Sequence, residues 1–251
     1  LSKDIVVDAV HTYGISPRAS IRAENIEAKD TWVSFDVRMA SSKFHIDSKL
    51  QWEFNVMNIL AATAVLISQK VPLETITKTI GLIWWVPWRL EEIPNMRGGK
   101  IFVDYAHTEE SLRSVLDTVR KIEGVARVIV LFGATWDRDK TKRPKMGRVA
   151  DNLADVIILT DDDTYTEDSL AIIRGVTEGI SRREWENFWI VPDREDAIRT
   201  ALLMLHPGDV LLATGKWAEN VLVTQSGAIP WNDRKVIERI LMEIENQVIA
   251  K

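Results

Sequence analysis

Four clusters of charged and hydroxyl-bearing residues follow apolar runs in this chain, and their chemistry suits an anion held beside an amino acid. Asp104, Tyr105, Ala106, His107 and Thr108 close the first such run. Gly133 closes another and leads into Asp137, Arg138, Asp139, Lys140, Lys142 and Arg143, with Pro144 near a helix start. Thr160, Asp161, Asp162 and Asp163 end a third, and Thr214, Gly215, Lys216 and Glu219 end a later one. Cations at a helix start oppose the helix dipole, so Lys142 and Arg143 ask for an anion, and a phosphate or carboxylate would supply it. Any one cluster could be only a solvated loop, and a lone histidine such as His107 is more often a surface residue than a catalytic one. Charge of both signs at four run ends makes that reading much weaker.

The apolar runs themselves show how those residues are brought together. Beyond residue 92, strand-like segments at 100–105, 127–132, 156–160, 188–191 and 210–213 alternate with helical patterns at 109–122, 144–153, 168–180, 194–205 and 233–247. Strands rich in Val, Ile and Leu that alternate with amphipathic helices predict an α/β fold, a parallel sheet covered on both faces. Ligands of such sheets bind at the carboxyl ends of the strands, where all four clusters fall. The first part reads differently: short strands at 4–10, 21–26, 32–38 and 43–46, then helices at 55–69 and 73–82. Pro87 and the turn-forming stretch from Ile93 to Gly99 place a boundary near 92, giving domains 1–92 and 93–251.

Composition excludes several classes of function. With 32 basic and 37 acidic side chains, net charge −5, the chain has no electrostatic footprint for nucleic acid or an anionic membrane surface. The absence of cysteine excludes disulfides, thiolate metal sites and a cysteine nucleophile, and it fits the reducing cytoplasm. No apolar run approaches the roughly 20 residues of a spanning helix, and the opening residues are not expected to act as a leader. The start at Leu1 reads as the interior of a longer protein.

Taken in order, DYAHT at 104–108, DRDKTKRPKMG at 137–147, TDDDTYTED at 160–168 and TGKWAE at 214–219 resemble the Mur ligase family, in the branch that adds the third residue of the peptidoglycan stem peptide. FNVMNILAA at 54–62 and VPWR at 86–89 match the end of that family's central domain. The resemblance implies the C-terminal two-thirds of such a ligase: a Rossmann-like, mostly parallel C-terminal ligase domain plus the end of a central ATPase domain. It implies a monomer that uses ATP and Mg2+ to phosphorylate the terminal carboxylate of UDP-N-acetylmuramoyl-dipeptide, and a free amino acid whose amine attacks the acyl phosphate. By the same resemblance Asn55, Asn58, Arg89, Asp104 and His107 lie near the nucleotide, and Lys142 approaches the phosphates, with His107 and Lys142 the catalytic pair. Arg138, Asp162, Asp163, Gly215 and Glu219 match positions that hold the incoming amino acid, and Tyr165 could add one hydrogen bond.

Departures from the family pattern carry information too. The phosphate loop GxxxxGK[ST] is missing, so the chain alone is expected to be inactive. Where the family often shows Asp, Asn, Pro, Arg, this chain has Asp162, Asp163, Thr164 and Tyr165. Without the arginine that would pair with a second carboxylate, lysine is favoured over meso-diaminopimelate. Trp32, Trp52, Trp85, Trp88, Trp136 and Trp217 stand where the family usually carries glycine, which suggests UGA codons read as glycine. Related amide ligases of the folylpolyglutamate or cyanophycin synthetase type fit the motifs less well, and a noncatalytic amino-acid- or nucleotide-binding module is the alternative from another class. No GxGxxG opens the second domain, which disfavours a dinucleotide oxidoreductase.

Overall fold

The computed structural model describes residues 10–29, 31–40, 42–84, 86, 89–135, 139–216 and 220–249. The chain falls into two compact units, Leu1–Val86 and Pro87–Lys251.

In the first unit β1 (Tyr13–Gly14), β2 (Ile21–Ala28), β3 (Val33–Arg38) and β4 (Lys43–Ser48) form a sheet in that order, with β1 parallel to β2 and the other pairs antiparallel. Along β3, Val33, Phe35 and Val37 alternate with Ser34, Asp36 and Arg38, and only the first set is fully buried. That alternation gives the sheet one apolar face. It packs on Val56, Ile59 and Leu60 of α1 (Phe54–Ser68) and on Ile76 and Ile80 of α2 (Leu73–Leu82). Residues 4–9 of the strand expected at 4–10 lie outside the described residues. The brief β1 was not anticipated, because two residues carry no period.

The second unit holds a six-stranded sheet of order β5-β6-β10-β7-β8-β9. Its strands are β5 (Glu91–Glu92), β6 (Lys100–Asp104), β7 (Val128–Phe132), β8 (Val156–Leu159), β9 (Phe188–Ile190) and β10 (Val210–Thr214). All neighbours are parallel except the β5–β6 edge pair. β6, β7, β8 and β10 are almost wholly buried, as strands covered on both faces must be. One face, including Ile101, Ile129, Ile158 and Leu211, packs on α6 (Arg194–Met204) and α7 (Asp233–Ile249). The intervening strand residues point the other way, the side left to α3 (Glu109–Arg120), α4 (Lys142–Leu153) and α5 (Ser169–Thr177). Because Glu91–Glu92 pairs with β6, that stretch belongs to the second unit, and the division falls at Val86 rather than at 92. A hairpin, β11 (Val221–Thr224) and β12 (Gly227–Pro230), was not read from the sequence: its strands are short and β12 is exposed throughout.

Two tryptophans adopt a backbone that L residues rarely take. Trp52 has φ 74° and Trp185 has φ 76°. Trp32 is not among the positive-φ residues, and Trp85, Trp88, Trp136 and Trp217 lie outside the described residues. No helix among the described residues is long and apolar enough to cross a membrane.

Candidate functional site

The loops after β6, β7, β8 and β10 line one cavity of about 490 Å³. Its walls include His107, Lys142, Asp162, Asp163, Tyr165 and Gly215, so six of the residues singled out in the sequence meet at one place. Arg138 and Glu219 lie outside the described residues. Asn55 and Asn58 belong to the first unit, where Asn58 Nδ2 donates to Asn55 Oδ1 at 3.0 Å and Asn55 Nδ2 donates to the Gln51 carbonyl.

Close approach of the strand ends explains why small residues stand there. A Cβ on Gly133, just after β7, would lie 2.6 Å from the Thr160 carbonyl oxygen at the end of β8. Gly215, just after β10, has φ +99°, and a Cβ on it would stand 3.0 Å from Asp162 Oδ2. Glycine at both positions lets the backbone of β7 and β10 close on the Asp162 carboxylate.

Asp162 is the unusual member. Its Oδ1 accepts from Asp163 N at 2.8 Å, with Lys216 Nζ 4.0 Å away, while Oδ2 is buried and has no hydrogen-bond partner among the described residues. Burial pushes its carboxyl above the ordinary range, and the charges of Arg194 and Lys216 act in the opposite direction. A buried carboxylate oxygen left without a donor is costly, which sets Asp162 apart from the other acids of this wall. Asp163, by contrast, is occupied: its Oδ1 accepts from Lys216 Nζ at 2.5 Å and from Val223 N at 2.8 Å. Tyr165 follows in a left-handed conformation, φ 46°, held by its N–H on the Val223 carbonyl at 3.2 Å.

The side of the cavity fed by β6 and β7 is built for a different group. His107 Nδ1 lies 3.0 Å from the Tyr105 carbonyl, which fixes Nδ1 as the donor and leaves Nε2 as an acceptor in the neutral ring. Thr108 caps α3 by accepting from Ser111 N at 3.2 Å in a reciprocal capping box, which explains why the helix starts there. Lys142, the first residue of α4, donates from Nζ to the His107 carbonyl at 3.1 Å and approaches Thr135 Oγ1 at 3.5 Å. Lys145, one turn on, lines the same cavity. Thr141 gives α4 no side-chain cap, and no acidic residue stands in its first turn, so Lys142 and Lys145 meet a helix end that favours an anion.

Two further expectations meet a specific geometry. Asp104 is not part of the cavity wall: its Oδ2 accepts from Leu90 N at 2.7 Å and its Oδ1 from Ala106 N at 2.8 Å, so it fastens the loop that carries His107. Burial raises its pKa, and those two backbone donors act against the rise. Arg89 is exposed, with its guanidinium 5.7 Å from the centre of the Tyr105 ring. From the sequence Arg143 asked for an anion at a helix start, and Arg194 had no role. Arg143 is buried and grips Glu167 with both terminal nitrogens at 2.9 and 2.8 Å. Both arginines pair with acids distant in sequence, and an internal ion pair leaves no sequence signal until its acidic partner is placed.

Comparison with known proteins agrees with this architecture. Residues 88–217 match the Mur ligase, glutamate ligase domain family. The UDP-N-acetylmuramoyl-L-alanyl-D-glutamate–2,6-diaminopimelate ligase of Clostridium botulinum is 35% identical over 93% of this chain and 48% of its own length. That of Solibacter usitatus is 36% identical over 91% of this chain and 46% of its own. A solved structure of a ligase of that name superposes with TM-score 0.61 and 25% identity over 94% of this chain and 48% of that one. A UDP-N-acetylmuramate–alanine ligase from Thermotoga maritima shares the fold, with TM-score 0.66 and 17% identity over 94% of this chain and 48% of that one. The chain belongs to the Mur ligase family. It spans about half the length of the curated relatives it matches, a smaller share than the two-thirds expected.

Proposed function

We propose that this chain supplies the amino-acid-binding part of an ATP-dependent ligase that adds a diamino acid to UDP-N-acetylmuramoyl-dipeptide in peptidoglycan synthesis. The observation that carries the reading is the partnerless Asp162 Oδ2 at a cavity whose other side presents Lys142 and Lys145 at a helix start. In this reading the γ-phosphoryl group of ATP passes to the dipeptide's terminal carboxylate, giving an acyl phosphate and ADP. The amino acid's amine then attacks the carbonyl carbon, an amide bond forms, and inorganic phosphate leaves with the C–O electron pair. Lys142 and Lys145 face the phosphoryl oxygens, where positive charge is worth most in the transition state. His107, held by the Tyr105 carbonyl, keeps Nε2 toward the reacting groups. Asp162 receives the far ammonium of the amino acid.

Residues 1–86 fit the end of the central ATP-binding domain in this scheme, with Asn55 and Asn58 assigned to the nucleotide, and 87–251, which include Arg89, fit the C-terminal domain. Magnesium would arrive with the nucleotide and offset the charge of its phosphates. The relatives' names specify 2,6-diaminopimelate. Here the described wall presents Tyr165 beside Asp163 and, among the described residues, no arginine for that second carboxylate, which favours lysine. The enzyme would work as a monomer in the cytoplasm, without nucleic-acid or membrane partners.

The test completes the chain with the part of a curated relative that it does not match, then follows ADP release. Release that requires both UDP-N-acetylmuramoyl-dipeptide and a diamino acid supports the proposal. Tight binding of the amino acid without ADP release would instead favour a noncatalytic binding module.

A further inference from the structure

Beneath the cavity, and untouched by the proposed chemistry, lies a fully buried guanidinium. The Arg194 side chain has no exposed surface, and it stands at the start of α6, two helices away in sequence from the phosphate side. Its Nε and Nη2 donate to the two oxygens of Asp233, at 2.8 and 2.6 Å. Its Nη1 donates to the Asp161 carbonyl at 3.0 Å, and Nη2 also reaches the Thr214 carbonyl at 3.0 Å. Those carbonyls belong to the residues that immediately precede Asp162 and Gly215. Asp233, at the start of α7, also accepts at Oδ1 from Trp231 Nε1 at 2.7 Å.

We infer that Arg194, oriented by Asp233, is a positioning residue that sets the Asp162 loop against the Gly215 loop and so fixes the amino-acid end of the cavity. The inference rests on the reading of that cavity as an amino-acid site. Three features support it. First, one planar fork joins the carboxyl ends of β8 and β10 through main-chain oxygens, so it fixes backbone positions and not merely side chains. Second, the tolerance there is narrow, because a Cβ at Gly215 would already stand 3.0 Å from Asp162 Oδ2. Third, an ion pair needed only for stability would be replaceable by packed apolar side chains at little loss. A fork that bridges two ligand loops would not be. Lysine carries the same charge but is a point donor without the fork, so Arg194→Lys should lose the bridge as well.

The experiment uses the whole chain and two variants, Arg194→Lys and the apolar pair Arg194→Met with Asp233→Leu, each first shown to be folded by a cooperative thermal transition. Two readouts are taken on each. Hydrogen–deuterium exchange at 161–165 and 214–216 is expected to rise at least tenfold in both variants, with the strand interiors of β6 and β7 unchanged. Calorimetric titration with L-lysine and with meso-diaminopimelate is expected to show at least tenfold weaker binding of whichever amino acid the parent chain takes. Parent-like exchange in the two loops of a folded variant overturns the positioning role, whatever the titration gives. Loop exchange that rises while amino-acid affinity stays at the parent value overturns the link to the site. A parent chain that binds neither amino acid refutes the amino-acid reading itself, and the exchange data still decide whether Arg194 holds the two loops. If the apolar pair fails to fold, Arg194→Lys carries the same two readouts.

Discussion

Two charged regions of this molecule have similar residue types and opposite characters. On the open face of the first unit's sheet, His45 Nδ1 meets Asp36 Oδ1 at 2.9 Å, Lys43 reaches Asp36 Oδ2 at 2.9 Å, and Arg38 meets Glu24 at 2.9 Å. The acids there are answered by cations, and Asn25 also donates to Asp36, at 2.6 Å. Under the second unit's cavity, Arg194, Asp233, Asp162 and Lys216 are all buried, and one oxygen of Asp162 has no donor among the described residues. Surface pairs in water each contribute little, whereas buried charges cost heavily unless every group is satisfied. A dense set of charges therefore does not by itself mark a site. The mark is an unsatisfied buried group beside a cavity.

The sharpest way to break this contrast is to unpair the buried set. Asp233→Ala strands the Arg194 guanidinium, and equilibrium denaturation should show a loss of about 3–5 kcal/mol. Asp162→Asn should act in the other direction on stability while weakening ligand binding. The carboxyl's folded pKa is raised, so its favourable contribution is present below its unfolded pKa and is lost as pH rises through the folded value. At neutral pH the asparagine variant escapes that penalty, and its melting temperature should exceed the parent's, a difference that shrinks as pH falls.

A further prediction concerns the left-handed tryptophans. Trp52→Gly and Trp185→Gly should each gain roughly 1 kcal/mol, because a side chain in that region costs on the order of 1–2 kcal/mol that glycine avoids. The intact mass of the protein from its native source checks the recoding idea: a mass that requires tryptophan at Trp32, Trp52, Trp85, Trp88, Trp136 and Trp217 alike would end it. The smallest effect belongs to the open face. His45→Ala should change thermal stability only slightly, and the change should vanish in high salt. The histidine's pKa is raised, first by its hydrogen bond to Asp36, so its contribution is present below its ordinary value of 6.5 and fades as pH climbs through the raised one.

Much of this arrangement was legible in the residues. The alternation Val33, Ser34, Phe35, Asp36, Val37 is a strand with one wet face, and VIVLF at 128–132 is a strand with none. Strand-end charge placed His107, Lys142, Asp162 and Gly215 together before any coordinates, because a parallel sheet puts all its carboxyl ends on one side. What stayed hidden was pairing across long sequence separations. Nothing in the local pattern around Arg194 announces Asp233 as its partner, and nothing around Asp163 announces the Val223 amide. The hairpin of β11 and β12 was missed for a related reason: its job is to receive the 163–165 loop, so its residues answer to that contact more than to a period.

The account stands on Asp162 as the receiver of a ligand ammonium. Calorimetric titration of the chain and of Asp162→Asn with L-lysine, and with the analogue that carries a hydroxyl in place of the ε-amine, addresses it directly. The account predicts that lysine binds the parent chain, that the hydroxyl analogue binds at least tenfold more weakly, and that the asparagine variant no longer distinguishes the two. Equal affinity of the parent chain for both compounds would contradict it.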